Sequence, residues 1–426
     1  MNQRLPFDTL PSLPNIPVGI AIQFPDGQLL GEANAPVKIL FSKWSSMVHL
    51  KTGQVGALAQ EYVEGHVQLE GNIQAVVRAM LQFLHSNPTQ EKGPANLTKH
   101  LGLLYGLKSL AHHTQAQDAA NIQFHYDISD AFYALWLDPL RVYSCAYYRN
   151  PSMGLAQAQQ AKLDHICRKL MLQPGERFLD IGAGWGSLML WAAEHYGVDA
   201  TGITLSKNQY AYVQRLIKEK NLEHRVHIRL CDYRELDENQ PFDKISSVGM
   251  FEHVGQAHMD LYFKKIMNLL IPGGLVLNHG ITAGGLDNRK INAGMGEFIE
   301  KYIFPGGELL HISKVMTHLA RSGLEMVDSE NLRPHYARTL WDWSTALEEQ
   351  LDQARQILTG SGKAVNAEKT LRAYRVYLAA SAIGFEQGWL SLYQLLATQP
   401  NNNLNNSPLK GAQSVYPFNR EYMYCS

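Results

Sequence analysis

The segment Arg177-Phe178-Leu179-Asp180-Ile181-Gly182-Ala183-Gly184-Trp185-Gly186 runs from an apolar stretch into an aspartate, then places a glycine at every second position. A helical pattern begins at Ser187, with Leu188, Leu190, Trp191 and Ala192. This order predicts the first strand, turn and helix of a nucleotide-binding α/β sheet. Glycine is needed at such a turn because a Cβ would hold the backbone away from a bound ligand.

The spacing narrows the ligand. A dinucleotide site wants Gly-x-Gly-x-x-Gly, which rests a pyrophosphate on a helix N-terminus. Here the pattern is Gly-x-Gly-x-Gly, with Trp185 inside the loop. A dinucleotide site also wants a carboxylate at the end of the second strand. That strand is predicted over 198–204 and ends in Thr204 without one. No Gly-Lys-Ser/Thr follows the glycines, so a P-loop is excluded. Asp180 suits a ligand with a cationic part, such as the amino group and sulfonium of S-adenosylmethionine. The plainer alternative is a tight turn that binds nothing; three glycines beside an aspartate weigh against it.

At 426 residues the chain has room for two or three domains. Its formal net charge of -1 supplies no basic field for nucleic acid. The N-terminal residues show no apolar h-region, and no apolar run approaches membrane-span length, so neither a signal peptide nor a spanning helix is expected. Cys145, Cys167, Cys231 and Cys425 are scattered, which suits a reducing cytoplasm. His112-His113 and the dispersed aspartates lack metal-ligand spacing, so no metal is expected.

Residues 1–90 read as a small α+β domain. A hairpin over 19–32 turns at Pro25-Asp26-Gly27, a strand covers 37–41, and a helix carries Ile73, Val76, Val77, Met80, Leu81 and Leu84. Residues 91–120 read as a connector with a short helix near 101–110. The main domain is predicted over 121–398, with strands near 177–181, 198–204, 226–230, 244–250 and 275–278. Helices fall over 155–172, 209–218 and 259–270. Strands alternating with helices imply a doubly wound parallel sheet with ligands at its carboxyl ends. Three departures are expected: a lead-in carrying His125-Tyr126-Asp127, an insertion over about 283–322, and a long helix over about 365–397 carrying Tyr377. Residues 399–426 read as a C-terminal tail, mobile around 401–406.

Several separated segments then coincide: His125-Tyr126-Asp127-Ile128-Ser129, Tyr143-Ser144-Cys145-Ala146-Tyr147, the Asp180 glycine loop, and Gly202-Ile203-Thr204-Leu205-Ser206. Phe251-Glu252-His253-Val254-Gly255 and Phe304-Pro305-Gly306-Gly307 follow in the same order. Together they resemble the cyclopropane-fatty-acyl-phospholipid synthases and the mycolic acid cyclopropane synthases over roughly 120–398. The resemblance implies a Rossmann-like class I methyltransferase sheet with inserted helices. It also implies that residues 1–90 correspond to the extra domain of the full-length phospholipid enzymes, which the compact type lacks.

The resemblance implies S-adenosylmethionine as methyl donor. Tyr143 and Ser144 would close over its methionine end, with Gly182 and Gly184 beneath, and Asp180 and Thr204 are also expected among the cofactor-binding residues. Gln209 would hold the ribose, and Asp232 and Tyr233 would flank the adenine. It further implies a bicarbonate ion bound by Glu252, His279 and Tyr377 through side chains and by Cys145 and Ile281 through backbone groups. The expected partner is a phospholipid at the inner face of the membrane, approached from the cytoplasm by a homodimer.

The chemistry so implied adds a methylene across a cis double bond. An alkene is a poor nucleophile, so it must be aligned with the sulfonium methyl in a dry site. The base that then removes a proton must be small enough to sit beside the new methyl. A bound anion suits that task. Phe304 and nearby tyrosines would stabilise the carbocation. Taken singly, Tyr377 on an apolar helix and Cys145 read as core residues, while Glu252 reads equally as a helix cap and His279 as an interior histidine. Their joint occurrence assigns them to a site. A branched methyl or methylene product from the same cation stays open, as does a lipid-binding module on an inactive nucleotide fold.

Overall fold

The computed structural model describes residues 19–82, 84, 88–89, 128–286, 293–360, 366–401, 417 and 419–424. In the N-terminal part, β1 (Ile20–Gln23) turns through Gly27, at φ 88, into β2 (Leu29–Leu30). β3 (Val37–Phe41), α1 (Met47–Lys51), α2 (Val55–Val63), β4 (Val67–Glu70) and α3 (Ile73–Leu81) follow. The sheet order is β2-β1-β3-β4. α3 begins where the Asn72 side chain accepts from the amides of Gln74 and Ala75, an N-cap that satisfies otherwise orphaned donors. It buries Ile73, Val76, Val77 and Met80, the face its spacing predicts. The helix expected near 101–110, His125-Tyr126-Asp127 and the stretch 402–406 lie outside the described residues.

The second part opens with α4 (Asp130–Trp136) and α5 (Leu155–Lys169). The winding follows as β5 (Arg177–Ile181), α6 (Ser187–Tyr196), β6 (Asp199–Thr204), α7 (Lys207–Glu219), β7 (Val226–Leu230), β8 (Phe242–Val248), α8 (Met259–Leu269) and β9 (Leu270–Ala283). Then come α9 (Met295–Tyr302), α10 (Ile312–Arg321), β10 (Glu325–Asn331), α11 (Arg333–Glu348), α12 (Leu351–Gly360), α13 (Ala367–Glu386), β11 (Leu390–Thr398) and α14 (Glu421–Tyr424). These strands build one seven-stranded sheet, ordered β10-β11-β9-β8-β5-β6-β7. The five strands from β7 to β9 are parallel. β5 has β6 on one side and β8 on the other, so the winding reverses beside the glycine loop, where open α/β sheets bind ligands. Separate apolar cores cover the two faces of the sheet, one with α5, α6 and α7 and the other with α8 and α10.

Two features of the C-terminal third differ from expectation. The helix expected over 365–397 stops at Glu386; Gly388 follows at φ 72, and β11 takes Leu390–Thr398. The Leu-Ser-Leu-Tyr alternation at its start suits a strand, and β11 pairs antiparallel with β9 along its whole length. β10 pairs antiparallel with β11 and completes the edge. The strand expected over 275–278 is correspondingly longer, Leu270–Ala283, because β11 continues the ladder beyond the parallel partner β8. Within the C-terminal tail, α14 docks on α5. Met423 is fully buried there, and its carbonyl meets His165 Nδ1 at 3.0 Å.

The N-terminal sheet does not stand alone. Its core residues Ile39, Leu58, Tyr62 and Val76 belong to one apolar cluster with Trp343 of α11 and Leu371, Tyr374 and Leu378 of α13. Arg375 of α13 donates to both Glu348 oxygens, at 2.6 and 2.8 Å, and to Tyr62 Oη at 2.8 Å. α2 meets α9 backbone to backbone: the Gly56 amide donates to the Ala293 carbonyl at 2.8 Å. A Cβ on Gly56 would lie 2.0 Å from the Gly294 carbonyl carbon. Alanine gains about 1 kcal/mol over glycine in helix propensity. An overlap with backbone cannot be relieved by a rotamer change, and such overpacking costs about 1–3 kcal/mol. Gly56→Ala is therefore expected to lower the denaturant midpoint of the full chain. An unchanged or higher midpoint would show that this contact is not a close-packed joint.

Candidate active site

The glycine loop leaves β5 with Gly182, Gly184 and Gly186 all at positive φ, 80, 57 and 81°. The amides of Gly182 and Ala183 donate to the Ile203 carbonyl at 3.1 and 2.9 Å, which ties the loop to β6. A Cβ on Gly202 would lie 2.3 Å from Met189 Sδ, so glycine there lets α6 close on β6. A Cβ on Gly184 meets nothing within 4 Å, and Gly184 lines a cavity at the carboxyl ends of the parallel strands.

The nine residues singled out for the nucleotide line this one cavity: Tyr143, Ser144, Asp180, Gly182, Gly184, Thr204, Gln209, Asp232 and Tyr233. Asp180 is 2% exposed and accepts from Ser246 Oγ at 2.7 Å. Burial pushes its carboxyl up to about 6, against the opposing pull of Ser246 and Lys162. Ser206 caps α7 by accepting from the Gln209 amide, which fixes the Gln209 backbone. Thr204 Oγ1 donates to Gln209 Oε1 at 2.8 Å, and Gln209 Nε2 is buried without a hydrogen-bond partner. A buried amide left so has a donor to offer a ligand. Asp232 is committed elsewhere: its Oδ1 accepts from the Arg234 amide at 2.9 Å and from Nε at 2.8 Å, and its Oδ2 accepts from Nη2 at 2.6 Å.

Sequence reading missed Lys162, Arg141 and Met250 among the lining residues, and noted Trp185 and His253 without giving them a role in the site. Lys162 carried a usable signal. It sits four residues from Ala158 and four from Ile166, both buried, so it falls on the apolar face of α5. Trp185 Nε1 donates to Asp130 Oδ1 at 3.2 Å, which joins the glycine loop to α4.

A second group lies where β8 ends. Phe251–His253 forms a single turn, and the Phe251 ring lies where a Cβ on Gly280 would fall, 2.0 Å away. This close approach brings Glu252 to β9, where its Oε1 accepts from the Ile281 amide at 2.7 Å. That amide is thereby taken. Glu252 Oε2 is buried without a hydrogen-bond partner, and burial pushes the carboxyl up to about 7. His279 faces Gln394 across the β9–β11 ladder, with Gln394 Nε2 3.2 Å from its Nδ1. In that arrangement Nδ1 accepts and the ring proton sits on Nε2, which is buried and unpartnered. Burial and the lysines Lys162 and Lys169 keep the imidazole well below its usual range, hence neutral.

Tyr377 projects from α13. Tyr143 Oη donates to its hydroxyl at 3.4 Å, and its ring lies 5.7 Å edge-on from Phe304. Phe304 in turn lies 5.9 Å from His253. Tyr143 and His253 both line the cavity, so these contacts carry Tyr377 and Phe304 to its edge. Desolvation pushes the Tyr377 hydroxyl up to about 12, so it is a neutral donor at ordinary pH. Cys145 is fully buried, with Sγ 3.2 Å from the Ala146 carbonyl and 3.9 Å from that of Leu332. Burial raises its thiol strongly, so no thiolate is available for nucleophilic attack.

The sequence pattern of the mycolic acid cyclopropane synthetase family matches residues 113–395. The chain belongs to that family. The family groups it with S-adenosylmethionine-dependent methyltransferases that act on lipids. A Pseudomonas putida protein named a probable fatty acid methyltransferase is 41% identical over 392 residues, 92% of this chain and 94% of its own. Cyclopropane mycolic acid synthase 1 of Mycobacterium tuberculosis is 39% identical over 285 residues, 65% of this chain and 95% of its own. The solved cyclopropane synthase MmaA2 from M. tuberculosis superposes with a TM-score of 0.61 at 36% identity, covering 66% of this chain and 98% of that one. Coclaurine N-methyltransferase, at 19% identity and a TM-score of 0.64, shares the fold.

In this family member the Glu252 carboxyl is a destabilising charge once ionised. The folded protein holds its proton up to about pH 7, whereas the ordinary value is 4.5. Between these values the folded state binds more protons, so stability is full below pH 4.5 and falls as pH rises through 7. Glu252→Gln keeps an oxygen for the Ile281 amide and cannot ionise. It is expected to exceed the parent in unfolding free energy at pH 8, by about 3 kcal/mol at most, and to match it near pH 4.5. Equal pH profiles in urea titrations would contradict this electrostatic assignment.

Proposed function

We propose that the protein transfers a methylene group from S-adenosylmethionine to the cis double bond of an unsaturated phospholipid acyl chain, forming a cyclopropane fatty acid. The observation that carries this reading is the pair of buried, unpartnered atoms Glu252 Oε2 and His279 Nε2 behind a glycine-loop cavity. The cavity fits the cofactor by the chemistry of its lining. Gly184 opens a cradle that a side chain would fill, Gln209 Nε2 is a free donor for a ribose hydroxyl, and the Asp180 carboxylate suits a cationic ligand. Bound there, S-adenosylmethionine supplies an electrophilic methyl group to the alkene.

The chain's own residues hold the reacting region dry. Tyr143 packs against Tyr133, Trp136 and Trp343 at ring-centroid distances of 5.3 to 5.5 Å, and Tyr377 and Phe304 continue the apolar wall. Ring faces stabilise a developing cation without trapping it, as a hydroxide-like group would. In this reading the site would hold a bicarbonate ion, which would supply the base that takes the departing proton as the ring closes. His279 Nε2–H and the Tyr377 hydroxyl would donate to it, and Glu252, half-protonated near neutrality, would share a proton with it. Two full negative charges would repel at this depth, so the raised Glu252 value is what admits an anion.

The substrate lies in a bilayer, so the acyl chain enters the cleft while the protein rests on the membrane surface, on the cytoplasmic side. Residues 1–90, outside the 113–395 span matched by the family, would form the dimer contact. A second reading is a fatty-acid C-methyltransferase giving a branched methyl or methylene chain, favoured by the name of the P. putida relative. Proton NMR of lipids from expressing cells separates the two, since cyclopropane ring protons lie upfield of all chain protons.

Gly184→Val is expected to bind no S-adenosylmethionine by calorimetry while remaining folded. Asp180→Ala is expected to weaken binding by about 1–3 kcal/mol, the loss of a hydrogen bond to a charged group. Unchanged affinity in a folded Gly184→Val protein would remove the cofactor assignment.

For turnover, Cys145→Ala is expected to keep most of the activity, because its thiol is turned into the core. Glu252→Gln, His279→Ala and Tyr377→Phe should each lose about 10²-fold, the usual cost of losing a partner that orients a base. Degassed buffer should slow the enzyme and added bicarbonate restore it. An inactive but folded Cys145→Ala protein, together with full rate in degassed buffer, would overturn the bicarbonate mechanism.

A further inference from the structure

Lys162 is the buried charge that the proposed chemistry leaves unused. Its residue is 2% exposed, and it projects from α5 into the cavity lining beside Tyr143, Ser144, Asp180 and Gly182. Nζ donates to Ser144 Oγ at 2.9 Å. Among the described residues that is its one hydrogen bond, and no carboxylate stands within 4.0 Å of it. An ammonium has three N–H donors, so two remain for something else. A buried ammonium with N–H donors left unused carries a desolvation cost, which a ligand that accepts from them would offset.

The counter-charge is arranged across the same cavity. Among the buried carboxylates Asp138 acts on Lys162 most strongly but does not line the cavity; Asp180 does line it, its field also raises Lys162, and that of Lys162 lowers Asp180. Ser246 occupies Asp180 Oδ1. The cavity thus presents one buried cation and one buried anion at the glycine loop, with Ser144 bridging to the Tyr143 segment. That is the charge pattern of an α-amino acid zwitterion, seen from the receptor side.

We propose that Lys162, together with Ser144, binds the α-carboxylate of the amino-acid end of the cofactor, while Asp180 faces its ammonium. This rests on the S-adenosylmethionine reading and adds to it a carboxylate subsite on α5. Gln159 supports the arrangement by donating to the Ser144 carbonyl at 2.8 Å, which holds the segment over Lys162.

Burial draws the Lys162 ammonium down to about 8, opposed by Asp138, Cys145, Asp180 and Cys167, and His279 also lies within its field. A carboxylate placed on it must restore the proton. Two ligands separate the alternatives: S-adenosylhomocysteine, and 5′-methylthioadenosine, which has the same nucleoside and thioether but no amino-acid group. In calorimetry on the full chain, Lys162→Met is expected to weaken S-adenosylhomocysteine by about 10- to 100-fold and to leave methylthioadenosine within about 3-fold. The wild-type protein is expected to take up about half a proton on binding S-adenosylhomocysteine at pH 8 and almost none with methylthioadenosine, a readout that needs no variant. Equal weakening of both ligands would mean that Lys162 only supports Ser144. That result, or no proton uptake in the wild type, would overturn the proposal. If the wild-type protein bound neither ligand, the cofactor reading itself would fall, and this subsite with it.

Discussion

Desolvation at the carboxyl ends of the sheet draws Asp180, Glu252, Lys162 and His279 all toward their neutral forms, and the site depends on that common pull. In water the two carboxyls would be fully ionised and the lysine fully charged at neutral pH. Here Asp180 moves up to about 6, Glu252 up to about 7 and Lys162 down to about 8. Groups held near their switching points can exchange or share protons at little cost. In the proposed reaction the same burial would keep water from a cationic intermediate. The burial of these groups costs stability, which a complementary ligand would offset.

The architecture that imposes this burial is assembled from distant parts of the chain. The β9–β11 ladder sets His279 against Gln394, 115 residues away. α13 brings Tyr377 to Tyr143, and the same helix buries its other face against α2 and α3 of the N-terminal part. One apolar cluster therefore reaches from the N-terminal sheet to the aromatic wall around Tyr143. A change in the docking of the N-terminal part would be felt at Tyr377 through α13, since close-packed interiors transmit displacement.

Much of the winding was legible from local pattern. The helix face of α3 followed from spacing, and the strand-to-helix turn at Gly182 from the order of an apolar run, an aspartate and alternating glycines. β10 and β11 were not legible, and the reason is physical. β11 opens with period-two alternation but continues as Leu-Leu-Ala, an apolar run that a strand and a buried helix share. What made it a strand was the open edge of β9. Lys162 escaped notice because a lysine on a helix usually faces solvent; only its position between Ala158 and Ile166 marked it as buried.

The sequence by itself determined the features that depend on a few neighbouring residues. These are the glycine loop, the aspartate before it, the caps of the helices, and the kinship carried by motifs in order. Tertiary structure decided the chemistry of the groups. Whether Glu252 is a carboxylate or an acid depends on the β9 amide that meets it, 29 residues on, and on the solvent excluded around it. Whether Tyr377 is a core tyrosine or lies at the cavity edge depends on Tyr143, 234 residues away. A protonation state is set by local dielectric and facing charges, and those are properties of the packed interior rather than of any stretch of chain.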